Sequence, residues 1–560
     1  MILLVPACIQ QVPSDAEMAE LLTRARQARN QSLWAEAIQG YDAVLVRDPW
    51  HETALFERAQ TLGWAKQYPA CILAWRLFRE RAPWRAGEAD QNLSMMASWG
   101  RIFDVALDTL EPYVKKGERW AVLDSAKYLS WAGRYRESLS RTSGWIEAHS
   151  DDREALLMHA RALSWDGQLK AAHSAYAGLV ARFPELAEAR MGLAQVSLWS
   201  GWIEAARTAF DQMVPETRGT PEGRLFDGQV QLAEGRRRSA LALLTPLAQQ
   251  GSSVQRDAED LIRASAKGNG PSVEIGRGRT LTSEPLRLVD SSIRARLPLG
   301  DGSIGLSQTL HHSDLSGLRS EARDTAANLA YPLGPLRLSA DLGRTTGLGG
   351  DPAGFHNLTV LWRLGQGAEL SLAQGRTVVG FTPQAVAQRI GIQSTDLALA
   401  LSGFEDSLRL QGGTATVSAG NRRTTWSAAY EHRWRVSPVT LSGGLTARSL
   451  GFSETLPLGF WNPGRYRFYG VTGGAAFERG RFSMTVDGRW GRQVTDQQAW
   501  TTGRGYGANL SWGLGRSPFT LLLGWSDSTS GLNTVNASDP STYHEQFVRW
   551  GVRMAGPWHW

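Results

Sequence analysis

One spacing constrains this chain more than any other feature: a short tryptophan-containing signature returns about every 34 residues through its first half. It reads Leu129-Ser130-Trp131-Ala132-Gly133, then Leu163-Ser164-Trp165-Asp166-Gly167, then Trp199-Ser200-Gly201. Counting outward from these glycines gives anchors at Ser32, Lys66, Gly100, Gly133, Gly167, Gly201 and Gly235, with successive differences of 34, 34, 33, 34, 34 and 34. A unit of that length cannot bury its own apolar face. It must stack on copies of itself, so a period of this kind predicts a solenoid.

The layout inside each period is equally regular. Five positions beyond five of the anchors stand Ala37, Cys71, Ala172, Ala206 and Ala240, small enough to let two helices cross closely. Four residues further stand Tyr41, Trp75, Tyr176 and Phe210, large enough to fill the space beside that crossing. Pro49, Pro83 and Pro184 then stop the second helix, because proline lacks the N–H that propagation needs. Period and layout together resemble the tetratricopeptide repeat. The resemblance implies a solenoid of about seven repeats with a capping helix over residues 16–266, whose concave groove binds extended partners. Trp64, Trp131, Trp165 and Trp199 precede their anchors by two residues, a position that faces the groove in the family resembled. Indole faces stack on sugar rings, so these four are candidate glycan-binding residues. The alternative is that they pack between neighbouring repeats.

After Gly268-Asn269-Gly270-Pro271 the period changes to two. With residues 267–271 as a linker, residues 272–560 alternate like β-strands. Leu336, Leu338, Ala340 and Leu342 alternate with Arg337, Ser339, Asp341 and Gly343. Trp426, Ala428, Tyr430 and Trp434 alternate with Ser427, Glu431, Arg433 and Arg435. Ionisable groups in mid-strand exclude a dry sandwich core, whereas a lumen that water can fill will hold them. No stretch reaches the eighteen or so apolar residues of a membrane helix, which leaves strands as the only means of crossing. The 23 Trp and 59 Gly suit interfacial aromatic girdles and close strand packing.

Loop lengths sharpen the reading. Tight connections are expected at 300–302, 332–335, 365–367, 437–438, 479–480 and 515–516. Long ones are expected at 313–322, 344–355, 377–387, 450–464, 493–503 and 529–542, with a short exception near Asn421. Short turns on one side and long loops on the other mark an outer-membrane barrel, here of about sixteen antiparallel strands. The fold class is therefore an α + β multidomain chain, an N-terminal α-solenoid followed by a C-terminal transmembrane barrel. The last strand carries Val548, Trp550, Val552, Met554, Trp558 and Trp560 on one face. A terminal aromatic after such alternation looks like the signal read by the bacterial barrel-assembly machinery. Lumen-facing candidates are Arg337, Asp341, Arg363, Glu369, Glu431, Arg433, Arg435, Asp487, Arg489, Arg549 and Arg553.

Signs of catalysis are absent. Gly300-Asp301-Gly302-Ser303-Ile304-Gly305 fits a dinucleotide-loop pattern but lies in a β-turn with no helix after it. Two cysteines make no disulfide framework, and no Cys or His cluster has metal-ligand spacing. His311-His312 is an isolated pair at a loop edge. Catalytic, cofactor and metal sites are thus not expected. A net charge of +6 with scattered basic residues argues against a nucleic-acid partner. Residues 1–15 read as the remnant of a signal segment, in which Leu3-Leu4-Val5-Pro6-Ala7-Cys8 resembles a lipoprotein cleavage box. A truncated secretory signal accounts for it better than lipidation of Cys8.

Repeats joined to a C-terminal barrel resemble the outer-membrane exporters of bacterial exopolysaccharides, of the cellulose synthase operon protein C type and the poly-N-acetylglucosamine porin type. Gly459-Phe460-Trp461-Asn462-Pro463-Gly464-Arg465-Tyr466 looks like the Gly-Tyr-Phe-x-Pro-x-x-Tyr stretch of the cellulose exporter. The resemblance implies an outer-membrane barrel with a periplasmic arm, an exopolysaccharide chain as cargo, and an inner-membrane glycan synthase complex as partner and energy source. Two other readings stay open: a protein translocator like the surface-lipoprotein assembly modifiers, and an envelope scaffold that transports nothing.

Overall fold

The computed structural model describes residues 15–556 apart from 250, 252, 284–285, 348, 350, 437, 516 and 530–543. Cys8 with its segment, and the terminal Trp558 and Trp560, lie outside the described residues. The chain divides into two compact units, Met1–Gly192 and Leu193–Trp560.

The first unit is made of helix pairs. They are α1 (Asp15–Asn30) with α2 (Trp34–Arg47), α3 (Glu52–Trp64) with α4 (Tyr68–Arg81), α5 (Ala86–Trp99) with α6 (Phe103–Lys115), α7 (Arg119–Trp131) with α8 (Tyr135–Ala148), and α9 (Arg153–Trp165) with α10 (Leu169–Arg182). α11 (Ala187–Trp199) runs across the division. α12 (Ile203–Asp211), the short α13 (Pro215–Arg218), α14 (Pro221–Glu234), α15 (Arg237–Gln249) and α16 (Gln255–Asn269) follow in the second unit. With α11–α12 and α14–α15 this makes seven pairs, and α16 follows them.

One motif closes the first helix of every pair. A residue in the left-handed region (Ser32, Lys66, Arg101, Gly133, Gly167, Gly201 or Gly235) ends it. The next N–H then reaches back five residues, as from Arg134 to Leu129 O at 2.8 Å and from Trp202 to Ser197 O at 2.9 Å. This satisfies carbonyls the helix end would orphan. The third anchor is Arg101, not Gly100, whose φ is −76°. With that one-residue correction the crossing residues become Ala37, Cys71, Ala106, Ser138, Ala172, Ala206 and Ala240, and each has zero exposed surface. Asp152 and Thr220 cap α9 and α14 by accepting from the N–H of Ala155 at 3.2 Å and Gly223 at 3.0 Å.

In the second unit sixteen strands form one closed antiparallel barrel in which β1 pairs with β16. They are β1 (Ser272–Thr282), β2 (Leu286–Leu299), β3 (Gly302–Leu315), β4 (Leu318–Leu333), β5 (Leu336–Thr346), β6 (Ala353–Gly365), β7 (Ala368–Val378) and β8 (Gly391–Ser402). Then come β9 (Asp406–Val417), β10 (Arg422–Val436), β11 (Val439–Phe452), β12 (Tyr466–Arg479), β13 (Phe482–Thr495), β14 (Thr501–Gly513), β15 (Phe519–Ser528) and β16 (Glu545–Ala555). Closure leaves no strand edge unpaired, the condition for crossing a bilayer with strands. Tight turns follow the even-numbered strands, and both barrel ends lie on that turn side. At the turn after β6, Gly365, Gln366 and Gly367 all have positive φ.

One expected long loop, 313–322, is instead a two-residue hairpin turn. β3 and β4 pair as far as Leu315 with Leu318, and Ser316 and Gly317 both have positive φ. A strand of about ten residues spans the bilayer, and β4 at 16 residues runs well past it. Beyond the lipid its outer face has no need to be apolar, so the alternation that marks a strand disappears there. His311 and His312 therefore lie within β3 rather than at a loop edge.

Candidate functional site

Alternation along each strand sorts side chains into two environments. Ile275, Leu306, Leu342, Leu358, Leu397, Leu445, Val471 and Leu523 are exposed on the outside. Trp362, Trp434 and Trp512 ring this belt toward the turn side, and Trp426, Tyr469 and Trp500 toward the loop side. An apolar band with aromatic girdles is a lipid-facing surface, so this is a transmembrane barrel of the outer-membrane type.

The inner face is polar and extensively paired. A cavity of about 620 Å³ is walled by Glu274, Arg294, Arg296, Asn328, Asp341 and Arg553. Another, of about 890 Å³, is walled by Glu431, Asp487, Arg489 and Arg549 among others. Arg553 pairs with Glu274 at 2.6 Å, Arg549 donates to Asn509 Oδ1 at 3.0 Å, and Asn328 donates to Asp341 at 2.7 Å. His311 lies between Asp290 at 2.7 Å and Asp324 at 3.2 Å. Six of the sequence candidates (Asp341, Glu431, Asp487, Arg489, Arg549 and Arg553) thus wall the lumen. Arg337, Arg363, Glu369, Arg433 and Arg435 share the inner face by alternation and lie nearer the turn side, where Arg363 donates to Glu234 O at 3.3 Å. Alternation alone misses Phe355, Phe468 and Phe547, which also line these cavities, because it treats apolar as outward.

At the loop side two long connections fold together. Residues 379–390 hold a short helix, α17 (Pro383–Ala387), capped by Thr382, whose hydroxyl accepts from Ala385 N–H at 3.2 Å. Gln384 donates to Pro457 O at 3.0 Å in the connection 453–465. Val379, Ala385, Ile390, Leu458 and Phe460 pack with Val417, Leu450 and Phe452 of the strand ends into one buried cluster. Asn462 holds the second connection: its amide accepts from Leu456 N–H and donates to the carbonyls of Leu456 and Phe460, each at 2.8 Å. Gly459, at φ +75°, sits where a Cβ would lie 2.6 Å from Gln384 Cβ. Gly380 lies inside the barrel against Ala322 and His311. The two connections therefore narrow the mouth, a lid that sequence reading reduced to loop lengths.

The last helix pairs meet the turn side within the same unit. Trp202 donates from its indole to Ser402 O at 3.1 Å and packs on Phe404, ring centres 4.4 Å apart. Arg238 N–H donates to Asp301 at 2.7 Å. Arg207 ties α12 to α14 through Asp227 at 2.7 Å and Glu234 at 3.1 Å, and these carboxylates raise its pKa against the lowering effect of burial.

In the helical region Trp64, Trp131, Trp165 and Trp199 are 40%, 44%, 40% and 46% exposed, each at the end of the first helix of its pair. With the third anchor corrected, Trp99 joins them at 45%. Expecting glycine at the anchor hid it, and the Trp itself was the better signal. Lys127 lies 5.6 Å from the Trp131 ring and Arg29 5.9 Å from that of Trp64. By contrast Cys71 is buried and free, its thiol pushed up to about 12 by burial. No group of His, Cys, Asp and Glu suited to a metal ion is found among the described residues.

These features define a class: a helical-repeat arm joined to an outer-membrane β-barrel. No family model and no curated sequence matches the chain. Among solved structures it is similar to a bacterial polysaccharide outer membrane secretin, at 13% identity and TM-score 0.43 over 51% of this chain and 99% of that one. It is also similar to a tetratricopeptide repeat protein from Parabacteroides merdae, at 12% and 0.37 over 44% and 98%. A third is the outer-membrane protein OmpT of Vibrio cholerae in a loop-deleted form, at 7% and 0.30 over 51% and 97%. Likeness this loose assigns no function.

Proposed function

We propose that this chain exports a bacterial exopolysaccharide across the outer membrane, with its repeats as a periplasmic arm. The observation that carries the reading is the inner face of the barrel. Amides, hydroxyls and charged groups line much of it, offering many exchangeable hydrogen bonds. A hydrated glycan can bind such a wall and still slide. Exposed indoles at Trp64, Trp131, Trp165 and Trp199 would hold the chain on the arm by stacking on sugar faces, each contact weak enough to release. Transport through the barrel would be passive, with force supplied by an inner-membrane glycan synthase.

The lid favours a glycan over the translocator reading. With residues 379–390 and 453–465 packed together at the loop-side mouth, the narrowed opening suits a single extended sugar chain better than a folded lipoprotein. The test is deletion of the gene in its native cells, with surface glycan measured by hydrolysis and sugar analysis. Loss of surface glycan with its accumulation in the periplasm is expected, restored by the wild-type chain. Unchanged surface glycan would reject export.

A further inference from the structure

The charges along the lumen are unevenly balanced. In the cavity of about 620 Å³, Glu274, Asp324 and Asp341 face Arg294, Arg296 and Arg553, three against three. On the wall built from β8 to β13, beneath the connection 453–465, a cavity of about 530 Å³ is lined by Arg423, Arg448 and Arg489 with Asp396 as its one carboxylate. Among the described residues no ion pair joins Arg423 or Arg448 to a carboxylate, Asp396 acting on Arg423 only at longer range, and Arg423 Nε is buried without a hydrogen-bond acceptor. Three guanidinium groups thus share one carboxylate in this cavity, where the cavity near Glu274 has as many carboxylates as guanidinium groups.

The same cavity is aromatic. Trp461 and Tyr466 meet edge to face with ring centres 5.1 Å apart, and Phe468, 1% exposed, has the Arg489 guanidinium 5.9 Å from its centre. Trp461 Nε1 is buried with no acceptor among the described residues. Tyr466 is held by its hydroxyl, which donates to Gln493 Oε1 at 3.2 Å, so this wall is fixed in place. Rings that offer an apolar face, an indole N–H lacking an acceptor, and planar guanidinium forks form a site for a sugar ring carrying a carboxylate, since arginine matches that group in two-point geometry.

We infer that this cavity is a binding subsite for a carboxylated sugar residue, so that the exported glycan is an acidic one. The inference rests on the export reading for its cargo and adds the cargo's chemical class. Trp461 and Tyr466 would hold the sugar face, backed by the buried Phe468, while Arg423 and Arg448 take the carboxylate, with Asp396 and Gln411 left for hydroxyls.

The test is calorimetric titration of the purified full-length chain in detergent with an oligomannuronate octasaccharide and with its carboxyl-reduced form. The wild type should bind the acid form about tenfold more tightly, the scale of one charge-assisted hydrogen-bond pair. Arg423→Gln and Arg448→Gln should each remove most of that preference and Arg448→Lys restore part of it. Trp461→Leu should weaken both ligands alike. Retained heat-modifiable mobility shows that each variant barrel is closed. Equal affinity for the two ligands, or glutamine variants that keep the preference, would overturn the subsite. The two readings fail separately. Cells that need the chain for surface glycan while the purified chain shows no acid preference retain export and lose the subsite. Acid preference without any effect of deletion on surface glycan retains the subsite and loses export.

Discussion

Replacing Trp75 and Trp165 by alanine should separate a core indole from a surface one. Trp75 has no exposed surface and meets Phe56 and Phe78 edge to face, ring centres 5.1 and 5.7 Å away. Its removal leaves a closed cavity and should cost about 3–5 kcal/mol. A fully buried Trp covers about 150–250 Å². Trp165 is 40% exposed, so about 90–150 Å² of it is covered, worth at most ~2–4 kcal/mol at ~25 cal/mol/Å². Its site opens to solvent and adds no cavity term, which places the expected loss near the lower end. Melting of the full-length chain, followed by helical circular dichroism, should therefore fall by about 6–20 °C for Trp75→Ala and by about half that or less for Trp165→Ala. Binding of a short oligosaccharide should fall only in Trp165→Ala. A loss of stability in Trp165→Ala as large as in Trp75→Ala would refute the reasoning and make Trp165 a packing residue.

Four other outcomes are expected. A cysteine at Thr455 should be labelled from outside intact cells and one at Gln366 should not; labelling at Gln366 would reverse the topology. Gly459→Ala should loosen the lid, since it forces a Cβ against Gln384 at a left-handed backbone costing about 1–2 kcal/mol, and single-channel conductance should rise. Asp152, held at about 2 by Arg119 with help from the Trp145 indole and below its ordinary 3.8, adds stability at neutral pH that fades as pH falls from about 4 to 2; in Arg119→Gln the arm should melt lower at pH 7 and lose much of that acid dependence. Deleting Trp558–Trp560 should lower the amount of heat-modifiable barrel in the outer membrane, and an unchanged amount would place the assembly signal elsewhere.

What could be read from sequence was whatever repeats under one physical rule. The crossing residue of each helix pair has no room for a side chain larger than Cys, so Ala37, Cys71, Ala172, Ala206 and Ala240 announce the pairs. Lipid outside and water inside force the alternation that put Asp341, Glu431 and Asp487 on the inner face. Reading failed where two rules compete. Glycine is favoured at a left-handed helix end, so Gly100 drew the third anchor from Arg101 and hid Trp99. Lid packing was invisible for another reason: Ala385 and Phe460 are 75 residues apart, and each looks like an ordinary loop residue. Inward Phe468 was lost because it breaks the alternation that identifies its strand.

The compact unit that holds the barrel also holds the last helix pairs, and this bears on how cargo would pass from arm to pore. Trp199 is exposed, and three residues later Trp202 is fixed by Ser402 and Phe404 at the β8–β9 turn. Left-handed Gly201, between them, sets the angle at which α12 leaves α11. The position of Trp199 is thus set relative to the turn-side rim, and its indole is the last exposed one before the barrel. The same β8–β9 hairpin carries Asp396 and Gln411 on its inner face, in the cavity of Arg423 and Arg448. On the export reading, a sugar leaving Trp199 enters along the wall where three guanidinium groups face one carboxylate, and the opposite, charge-balanced wall near Glu274 and Arg553 has no such claim on it. The joint at Trp202 therefore does more than tether the arm. On that reading it would set which side of the lumen the glycan meets first, and that side carries the aromatic and basic groups.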